Sequence, residues 1–274
     1  MELNLRNAVV LITGASRGLG REFAIAFAGE GARIAICARD STKLEATAAA
    51  VRQRGVECLA IQADLLEGAA CQRVVDDTVE HFGRLDVLVN NASASVDTTP
   101  KSIEVATDAQ VMARINGKML VAVRCARAAL PHMRKGGGGR IVNIGGTAAR
   151  TTFRPGDLPS EGSGLAQGLG NSSLANFSKY LADEVAADHI VVNTIHPHLI
   201  RTDRHTQRVT WQAKKFGVSE SEAEAQIAAQ IPIGRILEPS DVTPLVLLLA
   251  SPLSGATTGQ AIAVDGGALR GVTY

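Results

Sequence analysis

The 274-residue sequence predicts an α/β fold, a doubly wound parallel sheet with helices on both faces. Short apolar, β-branched runs alternate with longer amphipathic stretches in units of roughly 30 residues, which implies right-handed βαβ crossovers. Apolar residues make up 46% of the chain and aromatics only 3%, so Ala, Val, Ile and Leu must build the core. That is the usual filling of a parallel sheet covered on both sides. A glycine-rich turn also stands at the first strand–helix junction, where this architecture binds nucleotides.

The elements follow in order. Residues 8–13 read as a strand and 19–30 as a helix, with Gly31 placed to end it. Residues 33–37 form the second strand, 41–54 the second helix and 57–62 the third strand. A helix over 66–82 leads to a strand at 87–90, and 105–130 holds one long helix. Then come a strand at 140–144, a helix at 172–186 and a strand at 190–195. A helix over 241–250 follows Pro239-Ser240, and 261–264 closes the sheet. Two segments break the rhythm. Residues 147–170 are rich in Gly, Ser, Thr and Pro and read as an inserted loop. Residues 201–233 are polar, partly helical and long enough to be a substrate lid. The whole of 1–274 is read as one domain.

The formal net charge is +1, with no basic patch for nucleic acid and no polybasic segment for a membrane surface. No apolar run approaches the roughly 20 residues that span a bilayer. The polar start, residues 1–6, does not read as a signal peptide, so a cytoplasmic protein is expected. Cys37, Cys58, Cys71 and Cys125 are scattered without metal-ligand spacing and read as reduced thiols. No His/Cys/carboxylate cluster has the spacing of a metal site.

The glycine turn runs Thr13-Gly14-Ala15-Ser16-Arg17-Gly18-Leu19-Gly20. Its glycines let the backbone turn tightly against a pyrophosphate, which sits on the positive end of the following helix. About 20 residues on, dinucleotide binders place the group that reads the ribose 2′ position. Here the second strand ends Cys37-Ala38-Arg39. Arg39, with Arg17, would pair with the 2′-phosphate of NADP(H), which is therefore the preferred cofactor. Asp40, one position late, keeps NAD(H) open.

These features, taken with others, resemble the short-chain dehydrogenase/reductase family. The spacing Gly14-x-x-x-Gly18-x-Gly20, then Ala63-Asp64-Leu65 and Asn90-Asn91-Ala92, is similar to its pattern. So are Asn116 in the long helix, Arg140-Ile-Val-Asn-Ile144, Val192-Asn193 with His196-Pro197, and the run from Gly255 to Gly267. The likeness covers nearly the whole chain and implies a Rossmann-type fold. It also implies that Asp64, with Leu65, holds the adenine, that Asn90 and Ala92 line its ribose, and that Thr202, beyond Pro197, touches the nicotinamide amide.

The family's reductases use Ser, Tyr and Lys, with an Asn in the preceding helix. Tyr moves the proton, Lys lowers the Tyr pKa and holds the nicotinamide ribose, and Ser bonds the carbonyl. Registered from Ile144 forward and from Val192-Asn193 back, the Ser position falls on Gly146, the Tyr position on Gln167 and the Lys position on Asn171. Of the four, only Asn116 is kept. An amide at 167 transfers no proton near neutral pH, and Asn171 brings no charge. Thr147, beside the Ser position, is a substitute donor, and Ser163 and Asp157 could fold inward from the inserted loop. His196 and His198 flank Pro197, with His198 where the family usually has Gly; either could shuttle a proton or be structural. Tyr180 reads as a packing or interface residue and Lys179 as solvated.

The expectation is an NADP(H)-dependent oxidoreductase with an atypical active site, acting on a small, mainly aliphatic or polar molecule. A non-catalytic dinucleotide-binding homologue, or an inactive partner subunit, is the alternative. By analogy with the family, a homotetramer or homodimer is expected, paired through the two long helices and the last strand.

Overall fold

The computed structural model describes residues 2–93, 103–152 and 165–271. Its sheet has seven parallel strands in the order β3-β2-β1-β4-β5-β6-β7. They are β1 (Val9–Thr13), β2 (Arg33–Ala38), β3 (Cys58–Gln62), β4 (Val87–Asn90), β5 (Gly139–Ile144), β6 (Ile190–Pro197) and β7 (Ala261–Val264). The strand order reverses between β1 and β4, and in such sheets the crevice beyond the strands' carboxyl ends is where ligands bind.

Helices α1 (Gly18–Gly29), α2 (Ser41–Arg52) and α3 (Gly68–Phe82) join the first four strands. α4 (Asp108–Ile115), a π-helical turn (Asn116–Leu120) and α5 (Val121–Lys135) lead to β5, and α6 (Leu165–Val185) to β6. α7 (Asp203–Phe216), α8 (Glu220–Ala228) and α9 (Pro239–Ala250) precede β7. Local chemistry sets many of the ends. The Asp40 carboxylate accepts from Lys43 N at 3.0 Å and starts α2. Reciprocal capping boxes, Thr107 with Gln110 and Ser219 with Glu222, start α4 and α8. Gly31, at φ +78°, follows α1 as predicted.

The apolar core splits across the sheet. On one face Phe23 and Phe27 of α1 pack with Val242, Val246 and Leu249 of α9. On the other, Val74 and Val75 of α3 pack with Cys125 and Ala129 of α5 and Leu181 and Val185 of α6. Four described cysteines are free and buried. Among the described residues no helix is long and apolar enough to cross a membrane.

Two expectations need correction. The long helix over 105–130 is not uniform: Val105 lies in a separate 3-10 turn, and the helix from Asp108 widens at Asn116–Leu120 before running on to Lys135. The inserted loop is shorter, because α6 already begins at Leu165, and Thr147–Ala149 is a 3-10 turn. A Gly-rich stretch such as Gln167-Gly168-Leu169-Gly170 reads as loop by propensity, yet Gly170 is pressed against the Arg114 carbonyl, where a Cβ would sit 3.1 Å away. Tertiary packing therefore decides its helical state. The segment 201–233, expected to be partly helical, is helical over most of its length through α7 and α8, tied together by Arg201, which bridges Glu224 of α8 and Glu238 before α9.

Candidate active site

At the end of β1 the chain folds over the end of β4. Thr13 Oγ1 accepts from Asn91 N and Ala92 N, each at 3.0 Å. Asn91 Nδ2 donates to Thr13 O at 3.0 Å and Gly14 O at 3.1 Å. This closeness requires glycine at 14: φ is +67° and a Cβ would stand 2.8 Å from Ala92 Cα. α1 then begins with no carboxylate in its first turn and no capping bond from the Arg17 side chain. Its amides and the positive end of its dipole are left for an anion.

One cleft of about 960 Å³ runs from this turn across the carboxyl ends of the strands. Gly14, Ser16, Arg17, Gly18 and Leu19 line its middle. Arg39, Asp64 and Leu65 line its β2–β3 end, and Ala92, just beyond β4, lines it beside Gly14. Arg39 Nη1 stands 3.9 Å from Asp64 Oδ2. Asp40 also lines the cleft, but its carboxylate is engaged in capping α2 and lies 3.7 Å from Lys43 Nζ. Cys37 lies there too, its thiol pushed up to about 12 by burial, which leaves it protonated and inert.

The other end lies over β5 and β6. Gly146, Thr147, Gln167, Asn171, Pro197 and Thr202 all line it, as does His198. A Cβ at Gly146 would sit 3.1 Å from Asn171 Nδ2, so these two positions face each other across the cleft floor. Thr147 Oγ1 and His198 Nδ1 are 2.9 Å apart. Burial lowers the His198 pKa from its ordinary value, Asp265 opposes that shift and Arg208 adds to it. With Nδ1 bare, the neutral imidazole accepts the Thr147 hydroxyl proton.

His196, one strand step below, has a different place. It is fully buried, and its Nδ1 accepts from Gly146 N at 3.1 Å. Burial first, then the charges of Arg150 and Lys118, push its pKa down to about 4. The ring is therefore neutral and holds up the loop that carries Gly146 and Thr147. It fits only because residue 145 is glycine, where a Cβ would meet His196 Nδ1 at 2.4 Å.

Three predicted residues do not line the cleft. Gly20 faces inward, where a Cβ would stand 2.5 Å from both Asn91 Nδ2 and Gly14 O; it serves the packing of α1 on the turn. Asn90 is buried in the sheet and its Nδ2 donates to Asn143 Oδ1 at 2.9 Å, while its neighbour Asn91 reaches the cleft. Asn116 is also absent from the lining, whereas Arg114, Gly117, Lys118 and Val121 form it. Steps of three and four share one helical face, and a step of two from Arg114 points away from it. The sequence reading missed Arg114 and Lys118, although that spacing was available. It also missed His205, buried on the first turn of α7 with its Nε2 3.3 Å from Glu224 Oε1. Lys179 pairs with Asp183 at 2.6 Å and Tyr180 is exposed, both outside the cleft lining. Asp157 and Ser163 lie outside the described residues.

A family profile described as enoyl-(acyl carrier protein) reductase matches residues 14–268. A short-chain reductase protein, NovJ, of Streptomyces niveus is 32% identical over 263 residues, covering 96% of this chain and 94% of that one. The rhamnolipids biosynthesis 3-oxoacyl-[acyl-carrier-protein] reductase of Pseudomonas aeruginosa is 32% identical over 268 residues, covering 96% and 97%. Among solved structures, L-sorbose reductase from Gluconobacter frateurii, complexed with NADPH and L-sorbose, superposes with a TM-score of 0.89 at 30% identity. That match covers 99% of this chain and 100% of that one. A profile matched from the glycine turn to the last strand, and likeness over nearly the full length of each relative, make this chain a member of the short-chain dehydrogenase/reductase family of oxidoreductases.

Proposed function

We propose that this chain is an NADP(H)-dependent oxidoreductase that interconverts a carbonyl and an alcohol on a small molecule, with Thr147 and His198 managing the proton. The observation that carries the reading is the 2.9 Å Thr147–His198 pair opening into the same cleft as the glycine turn. The residues present fit a dinucleotide. Gly14 leaves no room for a side chain, the start of α1 is free for a pyrophosphate, and Arg39 lines the end that takes the 2′-phosphate, with Arg17 in the middle of the same cleft. Asp40 keeps NAD(H) as the second cofactor, but its carboxylate is held by the α2 cap. Asp64 and Leu65 bound the adenine, Asn171 reaches the ribose as a neutral hydrogen-bonder, and Pro197 and Thr202 face the nicotinamide.

Bound NADPH would supply a hydride to the carbonyl carbon, leaving the C=O π pair on oxygen. That oxygen takes the Thr147 hydroxyl proton, and Thr147 takes one from protonated His198 Nδ1. In the oxidative direction neutral His198 accepts the proton through Thr147 instead. Gly146, Gln167 and Asn171, at the positions of the family's Ser, Tyr and Lys, offer no group that titrates near neutral pH. α7 and α8 cover the substrate side as the lid. The chain is proposed to assemble as a homotetramer or homodimer, for which exposed Tyr180 on α6 and Leu253 before β7 supply apolar surface.

The test is a titration of NADPH and NADH, by fluorescence and thermal shift, followed by a screen of ketones, ketoses and acyl thioesters. NADPH binding with turnover that is lost in Thr147→Val and His198→Ala supports the reading. A second reading, a non-catalytic nucleotide-binding homologue, is favoured by the three untitratable residues at 146, 167 and 171. Tight NADPH binding with no turnover across the screen would establish it.

A further inference from the structure

The cation missing at position 171 has a counterpart on the opposite wall. We propose that Lys118 takes over the cationic role that Asn171 cannot fill and holds the nicotinamide-ribose half of the bound nucleotide. The proposal rests on the dinucleotide reading above.

Lys118 lines the cleft from a stretch that departs locally from α-helical geometry. It is the third residue of the π-helical turn Asn116–Leu120, and it shares the cleft-facing side with Arg114 and Val121. Its Cβ is brought against α6, one residue from Asn171, by a close contact between the two walls. Gly170, next to Asn171 on α6, lies so near that a Cβ would be 3.1 Å from the Arg114 carbonyl and 3.6 Å from Lys118 Cβ. From there a flexible four-carbon stem carries three donors and a full charge. Lys118, Asn171, Gly145 and Gly146 all line this cleft, and a Cβ at Gly146 would sit 3.1 Å from Asn171 Nδ2. His196, which lies beneath Gly145 and bonds Gly146 N, lowers its pKa in part in response to the Lys118 charge. Asn171 can still bond a ribose hydroxyl, but a charge-assisted bond is about twice as strong as a neutral one. A lysine arriving from the other wall restores the stronger contact without a change on α6.

The test compares two nucleotides on the full-length protein. NADPH contains the nicotinamide ribose; 2′,5′-ADP keeps the adenine and the 2′-phosphate but lacks it. Calorimetric dissociation constants are measured for wild type, Lys118→Met, Lys118→Arg and Arg39→Ala. Lys118→Met is expected to weaken NADPH roughly tenfold or more and to leave 2′,5′-ADP within about twofold. Lys118→Arg, which keeps the charge, should recover most of the loss. Arg39→Ala should weaken both nucleotides. Unchanged NADPH affinity in Lys118→Met overturns the proposal. Equal weakening of both nucleotides also overturns it, because the effect would then be a general distortion. If wild type binds neither nucleotide, the dinucleotide reading fails, and the role of Lys118 fails with it.

Discussion

Gly145→Ala should cost this protein stability out of proportion to one methyl group. The new Cβ would sit 2.4 Å from His196 Nδ1 and 2.7 Å from Cε1. Real Cβ contacts are not that short, and His196 is fully buried and bonded to Gly146 N, so the ring cannot simply swing away. Overpacking a filled site costs about 1–3 kcal/mol, and losing the Gly146–His196 bond adds about 1 more. For a chain of 274 residues this corresponds to a fall in melting temperature of about 3–7 °C. His196→Ala alone should also destabilise, through a cavity and an unpaired Gly146 N–H, by about 2–4 kcal/mol. In the double variant the methyl enters the space the ring has left. Its loss should therefore fall short of the sum of the single losses by about 1 kcal/mol or more. Calorimetric unfolding of the four proteins measures this coupling. A Gly145→Ala protein that melts with wild type, or a double variant whose loss equals the sum, would refute the steric reading of the Gly145–His196 pair.

Other consequences can be checked directly. His196 titrates at about 4 in the folded protein against 6.5 ordinarily, so the unfolded chain binds the extra proton between those values. Stability should therefore fall as pH drops from 6.5 towards 4, by up to about 3 kcal/mol, and His196→Gln should flatten that slope in denaturant titrations. In the proposed mechanism His198, its pKa lowered by burial, is protonated for reduction and neutral for oxidation. Reductive turnover should decline as pH rises through its pKa, which lies below 6.5, and oxidative turnover should rise over the same range. His198→Ala should lower both by about 10²–10⁴-fold and remove this dependence. Arg39→Ala should weaken NADPH about tenfold while sparing NADH, since the exposed Arg39, 3.9 Å from Asp64, is proposed to meet the 2′-phosphate that only NADPH carries.

Much of the fold could be read from residue order alone. Strand and helix alternation, the β-branched runs at 87–90 and 261–264, and the glycine turn specify βαβ units, because hydrophobic period and turn chemistry are local properties. The glycine turn, Arg39, Asp64 and Thr202 were legible as parts of one cleft for the same reason: each stands at a strand's carboxyl end. What the sequence by itself determined was therefore the architecture and the end of the sheet where the cleft opens. Tertiary structure decided which side chains reach that end. Asn90 turns into the sheet to meet Asn143, and Asn91 takes its place at the turn. Lys118 rather than Asn116 faces the cleft, because helical phase is set by packing against α6 at Gly170. Thr147 meets His198 although 51 residues separate them, because β5 and β6 lie side by side and deliver both to one edge. Pattern along a chain carries the period of an element, while the direction a side chain takes depends on contacts that only the folded neighbours supply.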